Sequence, residues 1–423
     1  MDLLEREAPP AATREPEGGI RLSSCFQPIF SPAHRRPVGY EGLIRATDTE
    51  GRKIPPLELL GGTPRGAART LLDRRCRALH VESFKKLGDS RSWLFLNVDP
   101  YVATEGVRYG PFFEGMLDRA GFPAHRVAVE LVETPLEDEG KLVAAVEYYR
   151  GLGCLIVIDD FGAGYSNFDR IWRLKPDIVK IDREMTHRVT VEPCARRMFA
   201  GIVSVLHEAG ALVCVEGIET EAEALCATDA DADLVQGYYF ARPAAGLLEG
   251  HKSRHLFTSL SAQFRSQIAG VRERRRTRLK PYFAAMEAAE RRIADGMPYT
   301  EAVRQLLELD SVQRCYLIAG DGYQIGANRE AERNASARDP RLEPMRPAAG
   351  TNWQTKPYFR RAIESPGTIQ VTRPYLSVTG PRLCVTLSLA AMVNGAVQVL
   401  CVDLDLSTFA GEDLSFGPDA LDP

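Results

Sequence analysis

Short apolar runs alternate with longer amphipathic stretches between residue 23 and about residue 250 of this 423-residue chain. Each run has the length of a strand, and most of the intervening stretches have the length of a helix. The runs are Ser24–Phe30, Val38–Ile44, Leu94–Val98, Val127–Leu131, Leu155–Asp159, Ile178–Ile181, Leu212–Val215 and Leu234–Tyr239. The helical stretches are Arg65–Lys86, Pro111–Ala120, Glu139–Leu152, Asn167–Arg173, Pro193–Ala209 and Glu221–Ala227. Because strands that alternate with helices form parallel sheets, the pattern predicts an α/β protein with a (β/α)8 TIM-like barrel.

One connection departs from this alternation. Only the short segment Ser31–Pro37 joins the first two runs, and a link of that length predicts a hairpin. The barrel is therefore expected to contain one antiparallel strand.

A different pattern begins after residue 250. Apolar residues recur every three or four positions along Ser253–Arg292, which predicts one long helix. Pro281 is expected to kink or restart that helix. The basic run Arg272–Arg276 is interpreted as a solvated helix face in preference to an RNA or membrane site.

The remaining residues predict a small α+β domain. A helix at Thr300–Leu309 and a short helix at Pro357–Glu364 are separated by a hairpin and a long polar loop over 329–350. The predicted strands are Cys315–Ala319, Tyr323–Ala327, Thr368–Val371, Tyr375–Thr379, Leu383–Ala391 and Val397–Leu404. This order is that of a PAS-like sensor. The chain is thus divided into a disordered lead-in (1–19), a barrel (20–250), a linker helix (251–292) and a sensor or dimerisation domain (293–423).

The amino-acid composition limits the classes of binding partner that this protein can have. Hydrophobic residues make up 44% of the chain and charged residues 26%, with a net charge of −4 and a pI near 6.1. This balance excludes generic nucleic-acid binding, which needs a basic face, but leaves room for a small anionic nucleotide. The sequence contains no apolar stretch long enough for a membrane span, no signal peptide and no CxxC pair, so a cytoplasmic protein is expected.

Polar residues follow the apolar runs where a barrel would place its site, at the carboxyl ends of the strands. They are Glu41, Asn97, Glu130, Asp159, Asp160, Lys180, Asp182, Glu216 and Gln236. Oxygen ligands favour Mg²⁺, Mn²⁺ or Ca²⁺ over zinc, and the number of carboxylates predicts two metal ions. Such pairs promote displacement at phosphorus. The structural alternative is ordinary turn chemistry and solvated loop entry.

The motifs that carry these residues resemble those of the EAL family across roughly residues 20–250. They are Gln27-Pro28-Ile29, Glu41-Gly42-Leu43-Ile44-Arg45, Leu94-Phe95-Leu96-Asn97-Val98, Glu130-Leu131-Val132-Glu133, the run from Asp159 to Ser166, Lys180-Ile181-Asp182, Glu216-Gly217-Ile218-Glu219 and Gln236-Gly237-Tyr238. The resemblance implies a phosphodiesterase that linearises cyclic di-GMP to pGpG with Mg²⁺ or Mn²⁺ and is inhibited by Ca²⁺. Gly42 and Ala46 depart from the family, which usually has Ala and Trp at these positions.

The resemblance also assigns roles. The expected ligands of one metal are Glu41, Asn97, Glu130 and Asp159, and those of the second are Asp160 and Asp182 with Asp159 shared. The residues expected to serve catalysis are Glu216 as general base or as partner of the metal-bound water, Lys180 orienting the water, and Glu133 holding the loop after Asp160. Glu219 would support that loop. Residues expected near water or nucleotide are Gln27, Leu43, Arg45 and Gln236.

The C-terminal segment carries a second resemblance, to Cache-type sensors, over roughly 283–410. It rests on Asn352-Trp353, on Lys356–Ala362, on Arg373–Ser377 and on Val402-Asp403-Leu404. It implies a pocket for an unknown small ligand lined by Trp353, Tyr358, Arg373 and Tyr375, although these can equally be core and edge residues. The expected protein is a homodimeric, regulated phosphodiesterase. The alternatives are a catalytically weak cyclic di-GMP receptor and a signalling scaffold.

Overall fold

The computed structural model describes residues 19–105, 112–132, 139–164, 168–248, 250–332, 348–376 and 383–406. The expected lead-in therefore lies outside the described residues, apart from Gly19. The chain divides into two compact units, one up to Arg265 and the other from Ser266 onward. Along the described residues, no helix combines the length and the apolar character needed to cross a membrane.

A closed sheet forms the first unit. Its strands are β1 (Arg21–Ser31), β2 (Arg36–Thr47), β3 (Lys53–Ile54), β4 (Trp93–Val98), β5 (Val127–Val132), β6 (Leu155–Phe161), β7 (Ile178–Ile181), β8 (Leu212–Val215) and β9 (Leu234–Val235). The order is β1-β9-β8-β7-β6-β5-β4-β2, and β1 also pairs with β2, which closes the barrel. β1 is antiparallel to both neighbours and the other barrel pairs are parallel. The predicted barrel and its hairpin are confirmed; β3 only extends β2.

Helices link the parallel strands. They are α1 (Pro56–Gly61), α2 (Ala67–Lys86), α3 (Pro100–Glu105), α4 (Phe113–Ala120), α5 (Glu139–Gly151), α6 (Phe168–Leu174), α7 (Arg183–Val191), α8 (Pro193–Glu208) and α9 (Glu221–Asp229). Local caps set several starts: the side chain of Asp182 accepts from the Glu184 amide at α7, and Thr220 and Glu223 form a capping box at α9. Pro193 opens α8 at a position where a missing amide hydrogen is harmless.

The last barrel strand is shorter than expected. The run Leu234–Tyr239 predicts six strand residues, but β9 ends at Val235. Gly237 passes so close to the Ile218 backbone that an added Cβ would lie 2.0 Å from the Ile218 carbonyl oxygen. The chain after Gln236 therefore packs against the β8–α9 loop and leaves the sheet.

An apolar layer fills the barrel interior. Its members come from seven of the eight barrel strands and are Ile29, Phe95, Ala128, Val157, Ile178, Cys214 and Leu234. All are almost wholly buried. Because side chains alternate along a strand, the residues two positions away point into the same interior, and on the parallel strands the following ones lie toward the carboxyl ends.

The second unit is built on an antiparallel sheet. Its elements are α10 (Gly250–Ala294), which begins in the first unit, α11 (Tyr299–Ala302), α12 (Arg304–Glu308), β10 (Val312–Ala319), β11 (Gln324–Glu330), α13 (Pro357–Glu364), β12 (Gln370–Val371), β13 (Tyr375–Leu376), β14 (Leu383–Val393) and β15 (Ala396–Asp405). The strand order is β11-β10-β15-β14-β12, with β13 also on β14. Helix α10 continues through Pro281, so the expected restart does not occur.

Alternation along the strands gives this sheet two apolar faces. Cys315 and Leu317 pack with Met286 and Ile293 of α10 on one face. Tyr316 and Ile318 pack with Tyr358 and Phe359 of α13 on the other, where Trp353 also contacts the cluster. The sheet is thus covered by helices on both sides.

Candidate active site

Polar side chains form the layer directly above the apolar interior of the barrel. On six strands each polar residue follows an interior apolar residue by two positions: Asn97, Glu130, Asp159, Lys180, Glu216 and Gln236. On the antiparallel strand β1 the order is reversed, and Gln27 precedes Ile29 by two. Gln27 is paired in register with Glu41 of β2. One interior layer of period two therefore brings the expected site residues to the same end of the barrel.

The buried ammonium group of Lys180 lies at the centre of this layer. Its Nζ is 2.5 Å from Glu130 Oε1 and 2.5 Å from Glu216 Oε1. It is also 3.4 Å from Asp159 Oδ1 and 3.6 Å from Glu41 Oε2. Lys180 is only 1% exposed. Burial alone would lower the pKa of Lys180, but the surrounding carboxylates raise it well above its usual value, so the side chain stays charged.

Two carboxamides hold Glu41 in place. Asn97 Nδ2 donates to Glu41 Oε1 at 2.9 Å, and Gln236 Nε2 donates to Oε2 at 2.7 Å. Burial would raise the pKa of Glu41, but Lys180 and these two donors together bring it below the usual value. Glu41 is therefore an oriented, ionised carboxylate.

A bulge brings the two adjacent aspartates to one site. The pairing of β6 with β7 shifts register between Ile158 and Phe161, and Asp160 has a positive φ of 57°. In a regular strand, neighbouring side chains point to opposite faces; a bulge re-aims one of them. Oxygens of Asp159, Asp160 and Glu216 consequently lie within 4.8 Å of one another. The sequence predicted both acids at the strand end but contained no signal for the bulge.

The cluster carries more negative charge than its lysine can balance. Burial raises the pKa of Glu130, Asp159 and Glu216, and their mutual repulsion adds to the effect. Burial and the neighbouring Asp159 and Asp182 raise the pKa of Asp160 to about 6. Clustered carboxylates in a dry site call for a cation in addition to the lysine.

Unused acceptor atoms point to the same conclusion. Among the described residues, Glu130 Oε2 and Gln236 Oε1 are buried without a hydrogen-bond donor. Buried oxygens of this kind normally have partners. An all-oxygen set of carboxylates and amides is what Mg²⁺, Mn²⁺ and Ca²⁺ prefer. The residues present therefore fit a divalent metal site.

The remaining residues expected at the site are not among the described residues that contact Lys180. Asp182 caps α7 through Oδ1. Leu43 and Arg45 are half-buried on β2, with Arg45 Nη1 donating to the Ile44 carbonyl at 2.9 Å. Glu219 is exposed, and its backbone amide, not its carboxylate, bonds to Glu223. Glu133 lies outside the described residues.

One residue near the site carries no motif and is missed by sequence reasoning. His80 of α2 is buried behind β2, where its Nδ1 lies 2.9 Å from Ser24 Oγ. A Cβ added to Gly42 would lie 2.9 Å from His80 Cγ. The glycine beside Glu41 is therefore matched to the histidine ring. Since the two residues are separated by two secondary-structure elements, no local pattern connects them.

Comparisons with known proteins agree with this geometry. The EAL domain model matches residues 13–243, more than half of the chain. The uncharacterised EAL-domain protein YkuI of Bacillus subtilis is 26% identical over 349 residues, covering 80% of this chain and 83% of YkuI. The crystal structure of YkuI with c-di-GMP and calcium covers 91% of this chain and 96% of its own, with a TM-score of 0.77 at 23% identity. That similarity establishes a shared fold across both units.

Enzymes occur among the relatives. The cyclic di-GMP phosphodiesterases RocR and NbdA of Pseudomonas aeruginosa are 29% and 26% identical over 129 and 232 residues. This chain spans only 33% of RocR and 29% of NbdA. The segment that the EAL domain model matches, residues 13–243, contains the barrel with its layer of carboxylates around Lys180. The chain belongs to the EAL domain family.

Proposed function

We propose that this protein is a metal-dependent phosphodiesterase that hydrolyses cyclic di-GMP to linear pGpG. The observation that carries the proposal is the convergence of Glu41, Glu130, Asp159 and Glu216 on the ammonium group of Lys180. A cyclic dinucleotide is itself an anion, so these acids would repel it unless cations lie between them. The relatives of this chain include two cyclic di-GMP phosphodiesterases, and the EAL domain model matches residues 13–243.

The residues that would hold two Mg²⁺ or Mn²⁺ ions are Glu41, Asn97, Glu130, Asp159, Asp160 and Asp182. Bound ions of this kind supply Lewis acidity and lower the pKa of a bound water. Asn97 and Gln236 orient Glu41 through their amide hydrogens. Because Ca²⁺ accepts looser geometry than Mg²⁺, we expect it to bind these oxygens but inhibit turnover.

Lys180 and Glu216 are assigned to the positioning and deprotonation of the attacking water. Lys180 Nζ lies 2.5 Å from Glu216 Oε1, and burial raises the pKa of that carboxyl well above its usual value. A carboxylate with a raised pKa is a stronger base near neutral pH. We assign Glu216 to accept a proton from the water. Lys180 would hold that water in position and offset negative charge.

The remaining assignments complete the proposal. Gln27, Leu43 and Arg45 contact the nucleotide from β1 and β2, and Glu133 and Glu219 support the loop after Asp160. The second unit regulates turnover in a cytoplasmic homodimer. Its element order of helices and antiparallel strands supports a PAS/Cache-like sensor. Sedimentation of the full chain tests the dimer, and removal of residues 253–423 should change turnover or oligomeric state.

The decisive experiment incubates purified full-length protein with cyclic di-GMP and either Mg²⁺ or Mn²⁺, and separates the products by chromatography. We expect pGpG from the wild type and loss of most of the rate in Glu41→Ala. Glu50→Ala, an exposed acid in the turn after β2, is the matched control. Binding of the dinucleotide without hydrolysis in either metal would favour the hypothesis of a cyclic di-GMP receptor. Absence of both binding and hydrolysis would favour the hypothesis of a signalling scaffold.

A further inference from the structure

The second unit contains a pocket of about 360 Å³ beside α13. The four residues expected from the sequence, Trp353, Tyr358, Arg373 and Tyr375, all line it, together with Tyr316 of β10. Its volume falls in the range of small-molecule sites, which begins at roughly 300 Å³. All the lining residues belong to one compact unit.

Arg314 lines this pocket and is paired with Asp403 behind it. Asp403 is completely buried, and Arg314 Nε donates to its Oδ2 at 2.7 Å. Thr386 Oγ1 donates to Oδ1 at 2.6 Å, and Tyr316 OH donates to the same oxygen at 3.4 Å. The carboxylate is therefore neutralised by its own partners. The Asp403 carboxylate holds Tyr316 in place on the pocket lining and adds no net negative charge to the pocket.

Three further cations remain on the lining. They are Lys356, Arg361 and Arg373, and all three side chains are exposed to solvent. No aspartate or glutamate appears among the described lining residues, and no ion pair joins these three cations to an acid in the described part of the chain. The pocket therefore has a net positive charge and favours an anion.

Aromatic side chains decide what kind of anion fits. The Tyr358 and Tyr375 rings are nearly parallel, with centroids 6.5 Å apart and planes inclined by 17°. Trp353 Nε1 donates to Gln324 Oε1 at 3.0 Å, so the indole is held in place on the pocket lining. Fixed ring faces bind flat apolar groups, and an arginine fork pairs with a planar carboxylate.

We propose that this pocket binds a small aromatic carboxylate, with its ring against the tyrosine and tryptophan side chains and its carboxylate against Arg361 and Arg373. The site lies wholly in the second unit and does not depend on the hydrolysis proposed above. Its occupancy is the signal that the second unit would pass on.

Isothermal titration of the full-length protein tests the proposal without requiring turnover. The probes are 2-naphthoate, its neutral isostere 2-naphthamide, and inorganic phosphate at matched ionic strength. We expect 2-naphthoate to bind at least about tenfold more tightly than 2-naphthamide, since the neutral amide cannot make charge-assisted hydrogen bonds to the arginines. Inorganic phosphate should compete only weakly with 2-naphthoate, because it can pair with the arginines but has no ring to pack against the aromatic side chains.

Substitutions locate the site. The double variant Arg361→Gln/Arg373→Gln should lose at least about tenfold in affinity for 2-naphthoate. Arg360→Gln is the matched control, because Arg360 is exposed on the same helix α13 but does not line the pocket. Absence of naphthoate binding, equal affinity for the amide, tighter binding of phosphate than of 2-naphthoate, or an equal loss in Arg360→Gln would each overturn the proposal.

Discussion

Replacing Lys180 by methionine removes the ammonium group that lies between four carboxylates. Methionine has a similar length and no charge, so it fills much of the space that the lysine stem occupies. The acids that lose their partner are Glu41, Glu130, Asp159 and Glu216. In metal-free protein the variant should therefore be strongly destabilised.

The distances set the scale of the effect. The four N–O separations run from 2.5 to 3.6 Å. Removing one partner of a buried ion pair lowers the free energy of unfolding by about 3–5 kcal/mol, chiefly because the other charge stays buried. Lys180 serves several acids, but protonation of Glu130 and Glu216, whose pKa values burial already raises, relieves part of the repulsion. We therefore expect about 3–5 kcal/mol in total.

Urea unfolding in EDTA measures this loss, and a parallel series in MnCl₂ identifies its origin. A cation that binds only the folded protein stabilises it by about 2.7 kcal/mol at one hundred times its Kd. Because the lysine no longer competes for the carboxylates, Mn²⁺ should stabilise Lys180→Met more than the wild type. Lys86→Met, at the exposed end of α2, is the control. Equal midpoints for Lys180→Met and the wild type in EDTA would refute the idea that the lysine balances this cluster.

Substitutions at three other positions separate local geometry from chemistry. Gly42→Ala should lower the free energy of unfolding by about 1–3 kcal/mol in urea unfolding, because its Cβ would lie 2.9 Å from His80 Cγ; the effect should vanish in a His80→Ala background. Burial lowers the pKa of His80 to about 4, below the usual 6.5, so the unfolded chain binds the extra proton between these values and stability falls by up to ~3 kcal/mol as the pH drops from 7 to 4. In His80→Gln the free energy of unfolding should depend less on pH between pH 7 and pH 4, and an unchanged slope would contradict the role given to His80. Asp160→Asn should abolish hydrolysis with little change in the unfolding midpoint, whereas Asp160→Ala should lower both, because asparagine tolerates a positive φ better than alanine does.

The barrel and the convergence of most candidate site residues at one end of it were predictable because both rest on a local rule. A strand exposes alternate residues to the interior, so an apolar residue followed two positions later by a polar one marks the floor and the mouth of the barrel. Val157 and Asp159, or Ile178 and Lys180, show that pair directly in the sequence. The strand bounds of β7 and β8 agree with the predicted runs for the same reason.

What escaped prediction depends on contacts between distant segments. The early end of β9 follows from the approach of Gly237 to Ile218. The apolar pattern predicted no element at the short helix α3, and Asp182, which the sequence presented as a metal ligand, is the N-cap residue of α7. A residue that both caps a helix and lies beside Asp160 has two roles, and a linear motif reports only one of them.

Gly42 shows how such a contact changes an interpretation. On the sequence alone, glycine in place of the family's alanine looks like a small loss of strand stability, because glycine has no side chain to pack. In the structure the space for that methyl group is filled by the ring of His80, which Ser24 holds from β1. The glycine is thus the complement of a buried histidine, and it leaves Glu41 hydrogen-bonded to Asn97 and Gln236. A departure from the motif next to Glu41 is therefore compatible with the hydrogen bonds that hold this carboxylate, because the change is absorbed on the side of the strand that faces α2.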